Sequence, residues 1–342
     1  MKSICILRLS AIGDVCHALA LVSVIRQRWP ACQITWVLGK AEAQLMAGLD
    51  GVELVVFDKK AGFKGMRALW RQLSGRRFDA LLHMQIALRA SVLSLGIRAK
   101  RRLGFARSRA GEGQWLFTNE QVPAPDSVHV LDNFLAFARY LGISDPQPQW
   151  PLPVPIPEVA ARKAAELLPD GQQALVICHS ASKAERAWLA ERYAAVADWA
   201  SEQGLSVLLC GGPASSERER GQAISAYCQY PVTDLTGQTD LKTLWALLGR
   251  ARVVLAPDTG PVHMASSQKV ATIGLYAHSN PRRTGPYNHQ QWVVNRYDAN
   301  ITAQTGQPWQ QLPWGKRAKG EALMAGIGVD EVVDGLERIL AE

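Results

Sequence analysis

The chain has 342 residues, of which 48% are apolar and 20% are charged. This length and balance are typical of two ordinary domains and exclude a largely disordered chain. No stretch reaches the roughly 20 apolar residues that span a bilayer, and the short apolar run near the N-terminus is not a signal peptide, so we expect a cytoplasmic protein whose membrane contact is at most peripheral.

The excess of positive over negative charge lies in the first half of the chain. Residues 1–150 hold 20 Lys and Arg against 11 Asp and Glu, whereas residues 151–342 hold 18 against 19. This distribution predicts that the first half meets an anionic molecule, and a solvated basic surface is the alternative. The six cysteines form no C-x-x-C pair, so we expect buried free thiols rather than a zinc or redox site.

The first half alternates apolar strands with amphipathic helices. Strands are predicted at 4–9, 33–38, 53–57 and 79–84, and the apolar spacing of residues 15–29 predicts a helix between the first two. This alternation indicates an α/β domain in which helices cover both faces of a parallel sheet.

Residues 145–158 contain six prolines and predict a stiff linker, so we place an N-terminal domain at 1–150 and a C-terminal domain at 151–342. The second half repeats the alternation and has a polar stretch at 300–320 that we predict as an extended loop. Its strands are expected at 174–180, 206–212, 252–258 and 271–277, and its helices at 191–203, 241–249 and 329–341.

Two Rossmann-like domains of this kind can face each other across a central cleft. Ligands bind at the carboxyl ends of the strands in such sheets, so the chemistry is expected in loops that follow strands. The first such loop is Ser-Ala-Ile-Gly-Asp at 10–14, in which Gly13 permits a tight turn. Asp14 is either a helix cap or a general base that takes a proton from an acceptor hydroxyl.

The second loop is His-Ser-Ala-Ser-Lys at 179–183, followed by Arg186. Small hydroxyl side chains followed by cations suit phosphate oxygens at the start of a helix. Ser182, Lys183 and Arg186 are therefore candidates to bind a diphosphate, and an ordinary capped helix with a surface lysine is the alternative.

The third loop is Asp-Thr-Gly-Pro-Val-His at 258–263. Its sharp strand-to-helix turn presents backbone N–H groups, which favours an anion. Asp258, Thr259 and Gly260 fit a plain turn with a cap as well, but that interpretation does not explain His263.

A fourth loop follows the strand at 206–212, and in it Glu217 is a candidate to hold the ribose of a nucleotide. The chain has neither G-x-G-x-x-G nor a Walker A motif, so NAD and P-loop chemistry lack support.

In this order and spacing, the first three loops resemble those of glycosyltransferase family 9, whose members include the ADP-heptose:lipopolysaccharide heptosyltransferases. The resemblance covers about residues 1–295. It implies a GT-B fold and inverting transfer without a metal or other cofactor, with an ADP-sugar as co-substrate.

The resemblance also implies the roles of individual residues. Asp14 falls on the catalytic aspartate of the family, and the turn at 258–263 falls on its donor-binding turn. The expected acceptor is inner-core lipopolysaccharide, an anionic glycolipid met at the cytoplasmic face of the inner membrane, and the first domain is expected to hold it. We predict the acceptor-binding residues to be Arg8, Ser10, Lys60, Lys64, Arg67 and Arg107.

Three alternatives remain at this point. A nucleotide-sugar epimerase on the same fold would bind the donor but would need no basic acceptor domain. A non-catalytic nucleotide-sugar sensor would leave Asp14 as a cap only. A nucleic-acid binder has the weakest support, because the chain has no recognisable binding module, and we expect no nucleic-acid partner.

Overall fold

The computed structural model describes residues 1–181 and 183–342. The chain divides into two compact units, Met1–Pro155 and Ile156–Glu342. The boundary lies inside the proline-rich segment, where six prolines withhold six backbone donors and residues 145–157 form neither helix nor strand.

The first unit is built on one parallel sheet. Its strands are β1 (Ser3–Leu7), β2 (Gln33–Gly39), β3 (Val52–Phe57), β4 (Phe78–His83), β5 (Ala99–Phe105) and β6 (Glu120–Val122). They lie in the order β3-β2-β1-β4-β5-β6 with every pair parallel. The helices are α1 (Ile12–Arg28), α2 (Lys40–Met46), α3 (Gly62–Gln72), α4 (Leu88–Ser94) and α5 (Val130–Tyr140).

The second unit repeats this plan. Its strands are β7 (Ala174–Cys178), β8 (Ser206–Cys210), β9 (Thr233–Asp234), β10 (Val253–Pro257), β11 (Ala271–Tyr276) and β12 (Val293–Asn295). Their order is β12-β11-β10-β7-β8-β9. Read from β9 to β12, this is the order of the first sheet, with β7 in the place of β1 and β10 in the place of β4. The helices are α6 (Glu158–Leu167), α7 (Ala190–Glu202), α8 (Ser215–Tyr227), α9 (Leu241–Leu248), α10 (Gly260–Ser266), α11 (Pro281–Thr284), α12 (Tyr297–Thr305) and α13 (Val329–Ala341).

Each unit buries its own core. In the first unit, Leu69 from α3, Leu73 directly after it and Leu93 from α4 pack on the same face of the sheet as Leu7 and Leu81. In the second unit, the apolar stripe of α13, including Val332, Leu336 and Ile339, packs with α7 and β11. Burial of these apolar side chains is the main term that stabilises both sheets.

The α/β fold class is confirmed, with two Rossmann-like units of parallel strands. The extended loop predicted at 300–320 is wrong in its first part, because α12 continues to Thr305 and buries Ile301. Gly13 does not form the tight turn predicted for it; it lies in the first turn of α1 and is buried there.

Candidate active site

Each sheet has one point at which its strand order reverses. That point lies between β1 and β4 in the first unit and between β7 and β10 in the second. Doubly wound sheets bind ligands just beyond the carboxyl ends of the strands at such a switch point. The loops 10–14, 179–183 and 258–263 follow β1, β7 and β10, so all three lie at the switch points.

In the first unit, Asp14 is the third residue of α1. Its Oδ2 atom accepts a hydrogen bond from the N–H of Ala11, at 3.3 Å, and forms an ion pair with the guanidinium of Arg8. The Asp14 side chain is 29% exposed, whereas that of Arg8 is 10% exposed. Asp14 therefore stabilises the start of the helix and still presents its carboxylate to solvent.

The end of β4 holds this loop in place. Nη1 of Arg8 donates to the carbonyl oxygen of Met84 at 2.5 Å, and the guanidinium lies 5.3 Å from the ring centre of Phe134. Oε1 of Gln85 accepts from the N–H groups of Leu9 (3.1 Å) and Ser10 (3.4 Å). We did not predict Met84 or Gln85 as part of the site, although their place directly after the strand next to β1 was the available signal.

The predicted acceptor-binding cations lie at the same edge of the first sheet. Lys60 is in a 3₁₀ turn after β3, and Lys64 and Arg67 follow on α3; all three are exposed. Arg107 follows β5, is exposed, and lies 5.7 Å from the ring centre of Trp115. These residues follow strand ends other than that of β1, which suits an extended anionic molecule rather than a single small ion.

Other cations of the first unit serve the fold. Lys100 pairs with Asp79 at 3.0 Å, and Arg101 pairs with Glu120 at 2.7 Å. The half-buried Arg102 donates to main-chain carbonyl oxygens, including that of Ile97 at 2.6 Å. These side chains already have partners, so we do not expect them to bind an acceptor.

In the second unit, Asp258 is the centre of a buried polar cluster. Its Oδ2 atom lies 3.3 Å from Nη1 of Arg186 and accepts from the hydroxyl of Ser279 at 2.5 Å, while its carbonyl oxygen also accepts from Arg186. The two charged side chains are only 12–13% exposed. Asp258 thus fixes the position of a cation at the switch point.

Thr259, Gly260 and His263 form the start of α10. Thr259 is the N-cap, Gly260 is the first helical residue and His263 is buried. The hydroxyl of Thr259 donates to the carbonyl oxygen of Pro257 at 3.2 Å. The turn therefore has the strand-to-helix geometry predicted for it.

The loop after β7 contains the remaining diphosphate candidates. Ser182 lies outside the described residues. Lys183 is exposed and lies 3.8 Å from Glu185, and Arg186 ends a 3₁₀ turn that begins at Ala184. Trp188 is fully buried and packs edge-on against Tyr193, so it is a core residue.

Glu217 and His179 support neighbouring backbone. Oε2 of Glu217 accepts from the N–H of Gly212 at 2.6 Å. His179 is buried between the hydroxyls of Thr236 and Ser180, each 3.0 Å from a ring nitrogen, and burial lowers its pKa to about 4. A Cβ atom on Gly211 would lie 3.1 Å from this ring, which is tighter than an ordinary contact, so a larger residue there would require the ring to shift slightly.

Comparisons with known proteins identify the family. The family model described as glycosyltransferase family 9 (heptosyltransferase) matches residues 66–311. The lipopolysaccharide core heptosyltransferase OpsX of Haemophilus influenzae is 44% identical over 338 residues, which are 99% of this chain and 97% of that protein. The chain belongs to glycosyltransferase family 9.

Solved structures agree with this fold. A family 9 glycosyltransferase from Veillonella parvula superposes with a TM-score of 0.80 at 23% identity, covering 99% of this chain and 97% of that one. Escherichia coli heptosyltransferase WaaC with ADP superposes with a TM-score of 0.75 at 20% identity, covering 99% and 100%. Membership of this family makes the chain a glycosyltransferase and disfavours the epimerase alternative.

Within residues 1–181 and 183–342, no three His, Cys, Asp or Glu side chains come together in a way that could hold a metal ion. None of the helices described above is both long and apolar enough to cross a membrane.

Proposed function

We propose that this enzyme transfers a heptose from ADP-heptose to the inner core of lipopolysaccharide, on a Kdo–lipid A type of acceptor, at the cytoplasmic face of the inner membrane. The match to a lipopolysaccharide core heptosyltransferase along 99% of the chain carries this proposal. The two switch-point clusters supply groups suited to the acceptor and to the donor.

Asp14 is the proposed general base. Both of its contacts use Oδ2, so we assign proton acceptance to Oδ1, which can take the proton without breaking either contact. As the acceptor hydroxyl loses its proton to Asp14, its oxygen bonds to the anomeric carbon and the bond from that carbon to the diphosphate oxygen breaks. Attack from the face opposite the leaving group inverts the anomeric carbon, by analogy with inverting glycosidases.

Arg186 and Lys183 are proposed to bind the donor diphosphate and to stabilise the charge that develops on ADP as it leaves. Asp258 and Ser279 hold Arg186 in position, which limits reorganisation during the reaction. Ser182, Thr259, Gly260 and His263 are proposed to line the same donor site, and Glu217 to support the Gly-rich turn near the ribose. The similar WaaC structure holds ADP, which supports a donor of this class.

The acceptor is proposed to meet the first unit. Arg8 and Ser10 flank Asp14, and Lys60, Lys64, Arg67 and Arg107 are exposed cations at the ends of neighbouring strands. An acceptor rich in acidic sugars and phosphates matches this charge. A metal is not required in this scheme, because Arg186 and Lys183 supply the positive charge.

Incubating the purified enzyme with ADP-heptose and a heptose-deficient lipopolysaccharide, with and without EDTA, tests the proposal. We expect ADP release that requires the acceptor, persists with EDTA, and yields a product of inverted anomeric configuration. Release without acceptor, or no release with tight binding of ADP-heptose, would overturn it in favour of a hydrolase or the sensor alternative. Loss of release with EDTA would overturn the metal-independent step.

A further inference from the structure

The first unit exposes large apolar side chains on one set of neighbouring elements. Phe63 on α3 is 63% exposed, Leu88 on α4 is 52% exposed and Leu95 at the end of α4 is 61% exposed. Leu116, in the 3₁₀ turn Gln114–Phe117 that packs on α4, is 77% exposed. Exposed apolar groups gathered on adjoining elements mark an interaction surface more often than scattered ones do.

Trp70 joins these elements into one surface. Phe63 and Trp70 lie seven residues apart on one side of α3, and their rings meet edge-on at 6.0 Å. The indole N–H of Trp70 donates to the carbonyl oxygen of Leu93 at 2.8 Å, and a Cβ on Gly96 would collide with its ring. Phe63 is thereby linked through Trp70 to the end of α4, where Leu95 lies.

The elements that carry this apolar surface also carry exposed cations. Residues 59–72 and 88–95 contain no Asp or Glu. They contain Lys59, Lys60, Lys64, Arg67, Arg71 and Arg89, all exposed, and none of the six forms an ion pair within the described parts of the chain. Glu112 is the acid beside α4, and its carboxylate accepts the N–H of Leu88.

We propose that this surface, formed by α3, α4 and the turn at Leu116, docks the enzyme on an anionic phospholipid bilayer. Cations attract the charged headgroups, and Phe63, Leu88, Leu95 and Leu116 enter the region between headgroups and acyl chains. A second copy of the chain is a poor occupant of a two-fold contact here, because it would place six cations against six cations.

The inference rests on the proposed function, because an acceptor anchored in lipid requires the enzyme to work at the membrane. The α3 helix follows β3, and its first residues lie at the same sheet edge as Asp14. Docking through α3 would bring that edge to the bilayer in which the acceptor is anchored. Binding to lipid can nevertheless be measured without donor or acceptor.

Flotation of the full-length protein with vesicles tests the surface. We expect binding to equimolar phosphatidylcholine and phosphatidylglycerol, little binding to phosphatidylcholine alone, and loss of binding as salt rises. The variant Phe63→Ser/Leu95→Ser/Leu116→Ser should partition about tenfold or more weakly, because three apolar side chains no longer enter the bilayer. The variant Arg89→Glu should weaken binding to the anionic vesicles and leave binding to phosphatidylcholine vesicles unchanged.

The matched control is Val159→Ser/Tyr227→Ser, which replaces side chains that are 72% and 59% exposed on the second unit. We expect wild-type flotation for this control and, for the triple variant, wild-type turnover on a soluble deacylated acceptor with reduced turnover on acceptor in vesicles. Equal flotation of the triple variant and wild type would overturn the proposal. If that variant also no longer formed a complex with an acidic protein, the surface would be assigned to a protein partner instead.

Discussion

The guanidinium of Arg186 and the carboxylate of Asp258 meet 3.3 Å apart at the switch point of the second sheet, almost out of contact with solvent. A buried ion pair recovers its desolvation cost only when further hydrogen bonds complete it. Ser279 and the carbonyl oxygen of Asp258 supply such bonds. These contacts fix the position of Arg186, as its proposed role in binding a negatively charged diphosphate requires.

We predict that Arg186→Gln weakens ADP binding by about 10- to 100-fold, the value of a charge-assisted hydrogen bond of about 1.5–3 kcal/mol. Isothermal titration calorimetry with ADP measures the effect. Arg162→Gln, which replaces an exposed arginine paired with Glu158 on α6, is the control and should bind ADP normally. Unchanged affinity in Arg186→Gln would remove this residue from the donor site.

Asp258 should act through Arg186. We expect Asp258→Asn to weaken ADP binding and the double variant Arg186→Gln/Asp258→Asn to lose little more than Arg186→Gln alone, because coupled residues are not additive. Ser279→Ala should cause a smaller loss in the same assay, since it removes one hydrogen bond to the carboxylate. Fully additive losses would indicate that Asp258 contacts the donor directly.

The cations of α3 and the preceding turn should determine acceptor affinity. We predict that Lys60→Ala/Lys64→Ala/Arg67→Ala raises KM for a deacylated acceptor by about tenfold or more and leaves ADP affinity unchanged, because three exposed positive charges facing an anion are lost. The penalty should shrink at high salt, where the wild-type attraction is screened. A KM equal to that of wild type at low salt would exclude these residues from the acceptor site.

Buried histidines should make the fold sensitive to acid. Burial lowers the pKa of His83 to about 3 and those of His179 and His289 to about 4, all below the usual value of about 6.5. Between about pH 6.5 and pH 4 these histidines are therefore protonated in the unfolded chain and neutral in the folded chain. The free energy of unfolding should fall as the pH falls through this range.

Urea unfolding at a series of pH values measures this loss, to which one histidine adds at most about 1.4 kcal/mol per pH unit. His289→Gln should have a shallower slope than wild type below about pH 6.5, because one of the three groups no longer titrates. Equal slopes would show that His289 is protonated as easily in the folded enzyme as in the unfolded chain.

The strands with continuous apolar runs were predictable from the sequence, and so was the position of the candidate site loops directly after them. The run at 174–180, for example, ends at the loop that contains Arg186, and parallel strands direct such loops to one edge. β5 was missed because Arg101 and Arg102 interrupt its apolar pattern. Arg101 pairs with Glu120 and Arg102 donates to main-chain carbonyl oxygens, and only the folded chain brings these partners near.

The partners of the site residues could not be predicted from the sequence. Met84 is 76 positions from Arg8, and Ser279 is 21 positions from Asp258, so their contacts depend on strand order. Strand order also explains why Asp258 holds Arg186, because β7 and β10 are neighbours in the sheet although their first residues are 79 positions apart. Local patterns locate the loops, and topology assigns their contacts.

The assignment of Asp14 as the base is tested most directly by Asp14→Asn, which keeps the size of the side chain and can still accept from Ala11. Acceptor-dependent ADP release and ADP affinity should be measured together, with Asp50→Asn, an exposed aspartate of the same unit, as control. We predict a loss of turnover of about 10²- to 10⁴-fold with ADP affinity unchanged. Turnover within about twofold of wild type would contradict the account and leave Asp14 as a helix cap.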